Sequence, residues 1–596
     1  MLSLEDLIRV PDVDIAGGYS RLSDSNRLAF SWNKTGQFEI FELDLNSPAD
    51  PTQLNTGEVG GKITPRYSPD GKYLAWAYDQ DGSENFHIFL YEFATGKRRD
   101  ITPDITFSIQ PLFSWSPDSK YIAYLADKAG NYDLYTISID GDKDRLLFSP
   151  GGPAHFVQWS PDGSRIAVTA EKEWQVDGTF IVQLEDGSAR RVGGEWDPID
   201  ANYPAWSPDG KTLIFTSNSN GWSQVGIYTI EDEQIEWLTY DQCDKYNPTW
   251  SLDGKLKAWV QNTAETAWVK ILNENKASRL IQVEPGFVYW PIFCEDDNSI
   301  IFIYENPSKP PDLWKASLID GNLTQLTNSL PTEFKSEEFV FPETISYPSL
   351  DDTPIPALIY KPRTACPKSP AVVMIHGGPA FHFGFYWFPL ICHLASRGWT
   401  VIAPNYRGST GYGRDWLVSN RYEMGRLDSD DCAAAAMHLA KSGLADPSKI
   451  GVTGRSHGGY LVMTCMTRNP ELFAVGSAVV PFLNWFTGHE NSREDLQYWD
   501  RLNMGDPVEN HELWYDRSPF FFLEKIQAPV QFICGENDPR CPPSESIAAH
   551  KKLVELGVKC ELLLFENEGH GFLKLENIIE SENKRVEFMA EIIEKS

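Results

Sequence analysis

A chain of 596 residues with 41% hydrophobic and 13% aromatic residues, 20 Trp among them, can bury several cores, which excludes a disordered chain. Its 52 Lys+Arg against 84 Asp+Glu give a formal net charge of −32, so neither nucleic acid nor an anionic membrane surface is a fitting partner. Nine Cys without a CxxC pair or Cys/His spacing exclude a disulfide framework and a zinc site, and buried thiols are expected.

The first residues, MLSLEDLIRVPDVD, lack the basic start and apolar run of a secretory signal, and no stretch of about 18 apolar residues follows. A cytoplasmic location is the expectation. From residue 20 on, one phrase returns. It stands as LSDSNRLAF around Asp24, YSPDGKYLAW around Asp70, WSPDSKYIAY around Asp118 and WSPDGSRIAV around Asp162. It continues as WSPDGKTLIF around Asp209, WSLDGKLKAW around Asp253 and a worn FCEDDNSIIF around Asp296. These seven units lie 43 to 48 residues apart. In each, an aromatic residue ends a short strand, Ser-Pro-Asp-Gly makes a tight turn, and an alternating strand follows. Repeats of this length with several short strands predict propeller blades, hence a seven-bladed β-propeller over residues 21–335. The Asp residues read as turn formers rather than ligands.

After the Pro-rich stretch around 350–370 the period changes. Apolar strands at AVVMI, WTVIA, IGVT, PVQFIC and CELLLF alternate with helical stretches at 387–397, 428–442 and 545–556. This alternation predicts an α/β-hydrolase-type domain over 336–596, a doubly wound and mostly parallel sheet. Chemistry then belongs at the carboxyl ends of the strands. Three such ends carry reactive residues. Gly454-Arg455-Ser456-His457-Gly458 is G-x-S-x-G between a strand and a helix, the setting of a nucleophilic serine. Asp538 follows the strand ending at Cys534, with Glu536 as a rival, and His570 lies in a Gly-flanked loop after the last strand. The order Ser…Asp…His predicts a triad in which His570 takes the Ser456 proton and Asp538 orients His570. An oxyanion needs backbone donors, expected from the N–H of His457 and from the loop His376-Gly377-Gly378-Pro379. Neither His376 nor His457 has a partner cluster for a metal. No metal and no cofactor are expected.

HGGP at 376–379, NYRGSTGYG at 405–413, GRSHGGY at 454–460, SPFFFLEKIQAPV at 518–530, GENDPRCPP at 535–543 and NEGHGF at 567–572 resemble the prolyl oligopeptidase family of serine peptidases. Within it the chain is most similar to the acylaminoacyl-peptidase group. The resemblance implies Ser456, Asp538 and His570 as triad, and His457 and Gly378 as oxyanion donors. It implies Arg540 as a binder of a substrate carbonyl. Phe482, Trp485 and Phe486, with Cys541 as a wall and His376 nearby, become candidates for the pocket that takes the residue before the cut. Tyr406 and Arg407 are implied to order the site. Residues 1–20, with Leu2, Leu4, Leu7 and Ile8 at helical spacing, are implied to pack on the hydrolase, and the propeller to gate it.

The resemblance implies cleavage of short peptides, with release of N-acylated amino acids from blocked peptides as the first expectation. Dipeptidyl or single-residue aminopeptidase and carboxylesterase activity remain open, as does a binding protein on a degenerate hydrolase. Glu171 and Glu173 read as a surface strand or turn rather than as an anchor for a free amino end. Short peptides are the expected partners, and self-association is left open.

Overall fold

The computed structural model describes all residues except 24, 56–57, 104–105, 142–143, 174–175, 195–198, 364–368 and 596, and the side chain of Glu173. Asp24, the turn residue of the first repeat, therefore lies outside the described residues. Seven four-stranded antiparallel sheets follow one another from Tyr19–Arg21 to Leu323–Gln325, in plain chain order within each sheet. They are the seven blades of the propeller.

The repeated phrase explains each blade. In blade two Ser68 Oγ donates to Asp70 Oδ1 at 2.8 Å and accepts from Tyr73 N at 3.0 Å, while Asp70 accepts from Lys72 N at 3.1 Å. Gly71 takes φ +69°, a conformation open to glycine at little steric cost. Ser119 fills the same place in blade three at φ +61°. Its hydroxyl accepts from Asp70 N, which ties two neighbouring turns. The tryptophan before the turn does a second job. The indole N–H groups of Trp115, Trp206 and Trp250 donate to Arg66, Gln158 and Ala205 carbonyls in the preceding blade at 3.0, 3.2 and 3.1 Å.

The ring closes without a shared sheet. Blades seven and one meet through Tyr19 OH donating to Trp290 O at 2.7 Å and Trp290 Nε1 donating to Ile15 O at 2.8 Å. Val13 N donates to Pro311 O at 3.0 Å, and Val13 bridges Trp32. The same segment begins on the hydrolase. Helix Leu4–Ile8 buries Leu4 among Ile391, Leu394, Val586 and Met589, and Leu7 beside Trp387 and Cys392.

The hydrolase sheet has eight strands. Their spatial order is Glu343–Pro348, Pro354–Tyr360, Thr400–Pro404, Ala371–Ile375, Ile450–Arg455, Val475–Val479, Val530–Gly535 and Cys560–Phe565. The last six pair parallel, and the first two add antiparallel at one edge. Successive parallel strands leave Ala371–Ile375 first to one side and then to the other, which opens a crevice at its carboxyl end. Helices Pro389–Arg397, Leu427–Lys441, His457–Arg468, Pro543–Glu555 and Leu575–Ile593 cover the faces. Strand Val475–Val479 had no separate sequence signal, because small residues make up much of it.

Hydrogen bonds seat the propeller on the hydrolase. Glu305 accepts from Trp387 N at 2.7 Å, Arg414 Nη1 donates to Asn218 Oδ1 at 2.7 Å, and Tyr498 OH donates to Lys172 O at 2.7 Å. No helix among the described residues is long and apolar enough to cross a membrane.

Candidate active site

Ser456 sits between strand Ile450–Arg455 and helix His457–Arg468 at φ 58°, ψ −124°. A non-glycine residue held there is strained, and such strain recurs at reactive sites. The flanking glycines permit it: a Cβ on Gly454 would stand 2.5 Å from Gly458 O, and one on Gly458 2.4 Å from Ile375 O. Ser456 Oγ lies 2.9 Å from His570 Nε2, and His570 Nδ1 lies 2.8 Å from Asp538 Oδ2. The other Asp538 oxygen accepts from Arg540 N at 2.8 Å and Cys541 N at 2.9 Å, so backbone amides fix the carboxylate's orientation. Glu536 is exposed and stands outside this chain of contacts.

Ser456 opens into a cavity of about 260 Å³. Gly378, His457, Phe482, Trp485, Arg540 and Cys541 line it, so the structure brings together six of the expected residues. Gly378 has φ +121°, and a Cβ on Gly377 would stand 3.3 Å from Ser456 Cβ. The glycine pair thus lets the loop backbone close on the serine. The His457 ring turns away, Nε2 lying 3.1 Å from Asp428 Oδ2, which leaves its backbone at the helix start.

Two expected residues stand elsewhere. Phe486 does not line the cavity; its ring packs 5.7 Å from Trp514 and 5.0 Å from His511, because helix Trp485–Asn491 turns successive side chains to different sides. His376 is buried, with Nε2 2.9 Å from Ser409 Oγ and its ring stacked 4.2 Å from Tyr406. Burial pushes its pKa down to about 3, so the ring is neutral and braces the glycine loop. Tyr406 OH donates to His376 O at 2.9 Å, and Arg407 bonds Asp431 and Asp351, so both are framework.

Atoms of Asp538, Cys541 and His570 lie within 4.8 Å of one another, a spacing a metal could use. Burial holds the Cys541 thiol well above its ordinary pKa, and Asp538 already faces His570 and two amides. This donor set fits a hydrogen-bonded triad better than a cation.

Other lining residues had no sequence motif. Gly488, His489, Ser492, Leu496, Trp499 and Asp500 come from helices Trp485–Asn491 and Glu494–Met504 and the turn between them. The only trace is Leu496, Trp499 and Asp500 at i, i+3 and i+4, one face of a helix. A propeller loop also reaches the site. Glu84 accepts from Arg540 Nε at 2.7 Å and Arg493 Nη1 at 3.2 Å, and Asn537 Nδ2 donates to Asp81 O at 3.1 Å. Gly82 and Gly569 touch so closely that a Cβ on Gly82 would stand 2.5 Å from Gly569 N.

A second cavity of about 380 Å³ lies between the propeller and the hydrolase. Glu171, Asp177, Asp200 and Asp244 line it from the propeller, and it shares Trp499 with the first. Burial raises Glu171 and Asp200 to a pKa of about 7 each.

The prolyl oligopeptidase family model matches residues 384–596, and a TolB β-propeller domain model matches 149–332. Dipeptidyl aminopeptidase BIII of Pseudoxanthomonas mexicana is 25% identical over 554 residues, 86% of this chain and 77% of that protein. The acylamino-acid-releasing enzyme of Arabidopsis thaliana is 30% identical over 435 residues, 66% of this chain and 55% of that protein. A puromycin-hydrolyzing peptidase of Mycobacterium tuberculosis shares the fold at a TM-score of 0.86 and 19% identity, over 99% of this chain and 96% of that one.

Proposed function

From the premise that the chain belongs to the prolyl oligopeptidase family of serine peptidases, we propose that it hydrolyses short peptides through an acyl-enzyme on Ser456. The acyl group it releases would be an N-acylated amino acid from a blocked peptide. The observation that carries the mechanism is the line Ser456–His570–Asp538 at 2.9 and 2.8 Å, opening into the cavity. Ser456 Oγ attacks the substrate carbonyl while His570 Nε2 takes its proton. Backbone N–H groups of His457 and Gly378 hold the oxyanion. Collapse expels the amine, which receives the proton from His570, and water releases the acyl group by the same steps. Arg540 supports a substrate that carries an acyl or peptide carbonyl before the residue that is cut, against single-residue removal. Its Nε is held by Glu84, and its terminal amino groups have no hydrogen-bond partner among the described residues, which leaves them for such a carbonyl.

A second reading, removal of a dipeptide or single residue from a free amino end, is favoured by one observation. Glu171, Asp177 and Asp200 line the neighbouring cavity, where a cationic amino group would relieve the buried acids.

The test is a rate panel with Ser456→Ala as blank: acetyl-Leu-, acetyl-Phe-, free Leu- and Gly-Pro-p-nitroanilide beside p-nitrophenyl caprylate. Faster acetylated amides support the first reading and faster free amines the second. Cleavage of the ester alone would move the assignment to a carboxylesterase.

A further inference from the structure

We propose that Asp500 sets the substrate class of this site, selecting peptides with lysine or arginine on the acyl side of the cut. The inference rests on the serine-peptidase reading above and extends it to the side-chain pocket.

The cavity that meets Ser456 has aromatic and aliphatic walls: Phe482, Trp485, Leu496 and Trp499. Phe482 and Trp485 stand edge to face with centroids 4.8 Å apart. Such walls suit a straight methylene stem, and their ring faces attract a cation. A purely apolar slot would end in more of the same, and this one contains a carboxylate. Asp500 Oδ2 lies 3.0 Å from His489 Nδ1, and the His489 ring stands edge-on to the buried Trp514 at 5.2 Å. That anchorage places the pair on the core side of the cavity.

Asp500 Oδ1 has no hydrogen-bond partner among the described residues and belongs to a residue that lines the cavity. Burial disfavours the Asp500 charge, and His489 beside it only opposes that effect. Arg501 also favours the charge but is exposed on its helix. The lining cation, Arg540, has its Nε held by Glu84 and forms no ion pair with Asp500. A cationic side chain entering the slot would give Oδ1 the charged donor it lacks. An apolar side chain would strip water from Oδ1 and return nothing.

The experiment measures kcat/KM for Lys-, Arg-, Leu- and Phe-p-nitroanilides, each acetylated and with a free amino group. It uses the full chain, Asp500→Asn and Ser456→Ala. The wild-type protein should prefer the basic residues by about tenfold or more. Asp500→Asn should remove that preference, bringing the Lys and Arg rates down to the level of the Leu rate or below. Benzamidine should inhibit the wild-type protein competitively, about tenfold better than neutral benzamide, a readout independent of how the variant folds. Basic rates no higher than Leu, or a preference that survives Asp500→Asn, overturn the inference and leave the peptidase reading standing. Amides that are not cleaved in any Ser456-dependent way overturn both.

Discussion

The two sides of the substrate cavity are built from different material. On one side Ser456, His457, Gly378, Asp538 and His570 all stand at the carboxyl ends of parallel strands. The turn carrying Ser456 is held by backbone contacts that tolerate no added carbon at Gly454 and Gly458. The opposite side is assembled from the helices carrying His489, Trp499 and Asp500 and from propeller loop 79–84, which arrive from far along the chain. The difference teaches a division of labour. On the proposed mechanism bond making belongs to the sheet, where geometry is stiffest, and choice of substrate falls to side chains on inserted helices and a second domain, which can change without disturbing the strand ends.

Substitutions on the sheet side should therefore alter every substrate alike. Ser456→Ala should lower turnover by roughly 10^4- to 10^6-fold for amides and esters with an unchanged melting temperature. Appreciable residual hydrolysis would break the comparison at its root. Asp538→Asn should cost about 10^4-fold in kcat, since Nδ1 of His570 would meet a donor where it needs an acceptor.

On the propeller side, Gly82→Ala pushes a methyl group against Gly569, next to His570. A displacement of that loop by about 1 Å predicts a loss near 10^2-fold in kcat. Unaltered kinetics would show that the sheet alone holds His570.

Stability should follow a pH dependence set on the propeller side. Glu305 is buried, and burial raises its pKa to about 7. Burial raises Asp12 and Asp312 to about 7 as well. A carboxyl group whose folded pKa exceeds its unfolded one binds its proton more tightly in the fold. Its contribution is thus complete below the unfolded value and is lost as pH rises to about 7. Stability should fall between about pH 4.5 and 7, and Glu305→Gln should remove up to about 3 kcal/mol of that change, read by denaturation at both ends of the window. Trp206→Phe removes one inter-blade hydrogen bond and should cost only about 1 kcal/mol, read in chemical denaturation, with activity intact.

The division also explains what could be read from residues alone. The blades were legible because one local turn recurs with its Pro, Asp and Gly, and those residues make the same hydrogen bonds in successive copies. Ser456, Asp538 and His570 were legible because a tight strand-end turn needs glycine neighbours, which sequence displays. Phe486 and His376 misled because residue type does not report direction: one helical step turns Phe486 from the cavity, and His376 serves the loop from beneath. Asp500 and Glu84 were invisible because their meaning lies in partners hundreds of residues away or on a separate helix face.

One last consequence concerns residues 10–18 and the stretch after Gln325. Both covalent links between propeller and hydrolase leave from the junction of blades seven and one, where Val13 is also bound to Pro311. At roughly 3.5 Å per extended residue, the few residues between Ile8 and Val13 form a leash of under about 20 Å. On the far side blades four and five hold the hydrolase through contacts such as Tyr498 to Lys172 and Arg414 to Asn218, which solvent can replace. A body fastened along one margin and latched by replaceable contacts along the other would open at the latch, so that a peptide would enter on the margin nearest Trp499 and the acidic chamber rather than past the leash.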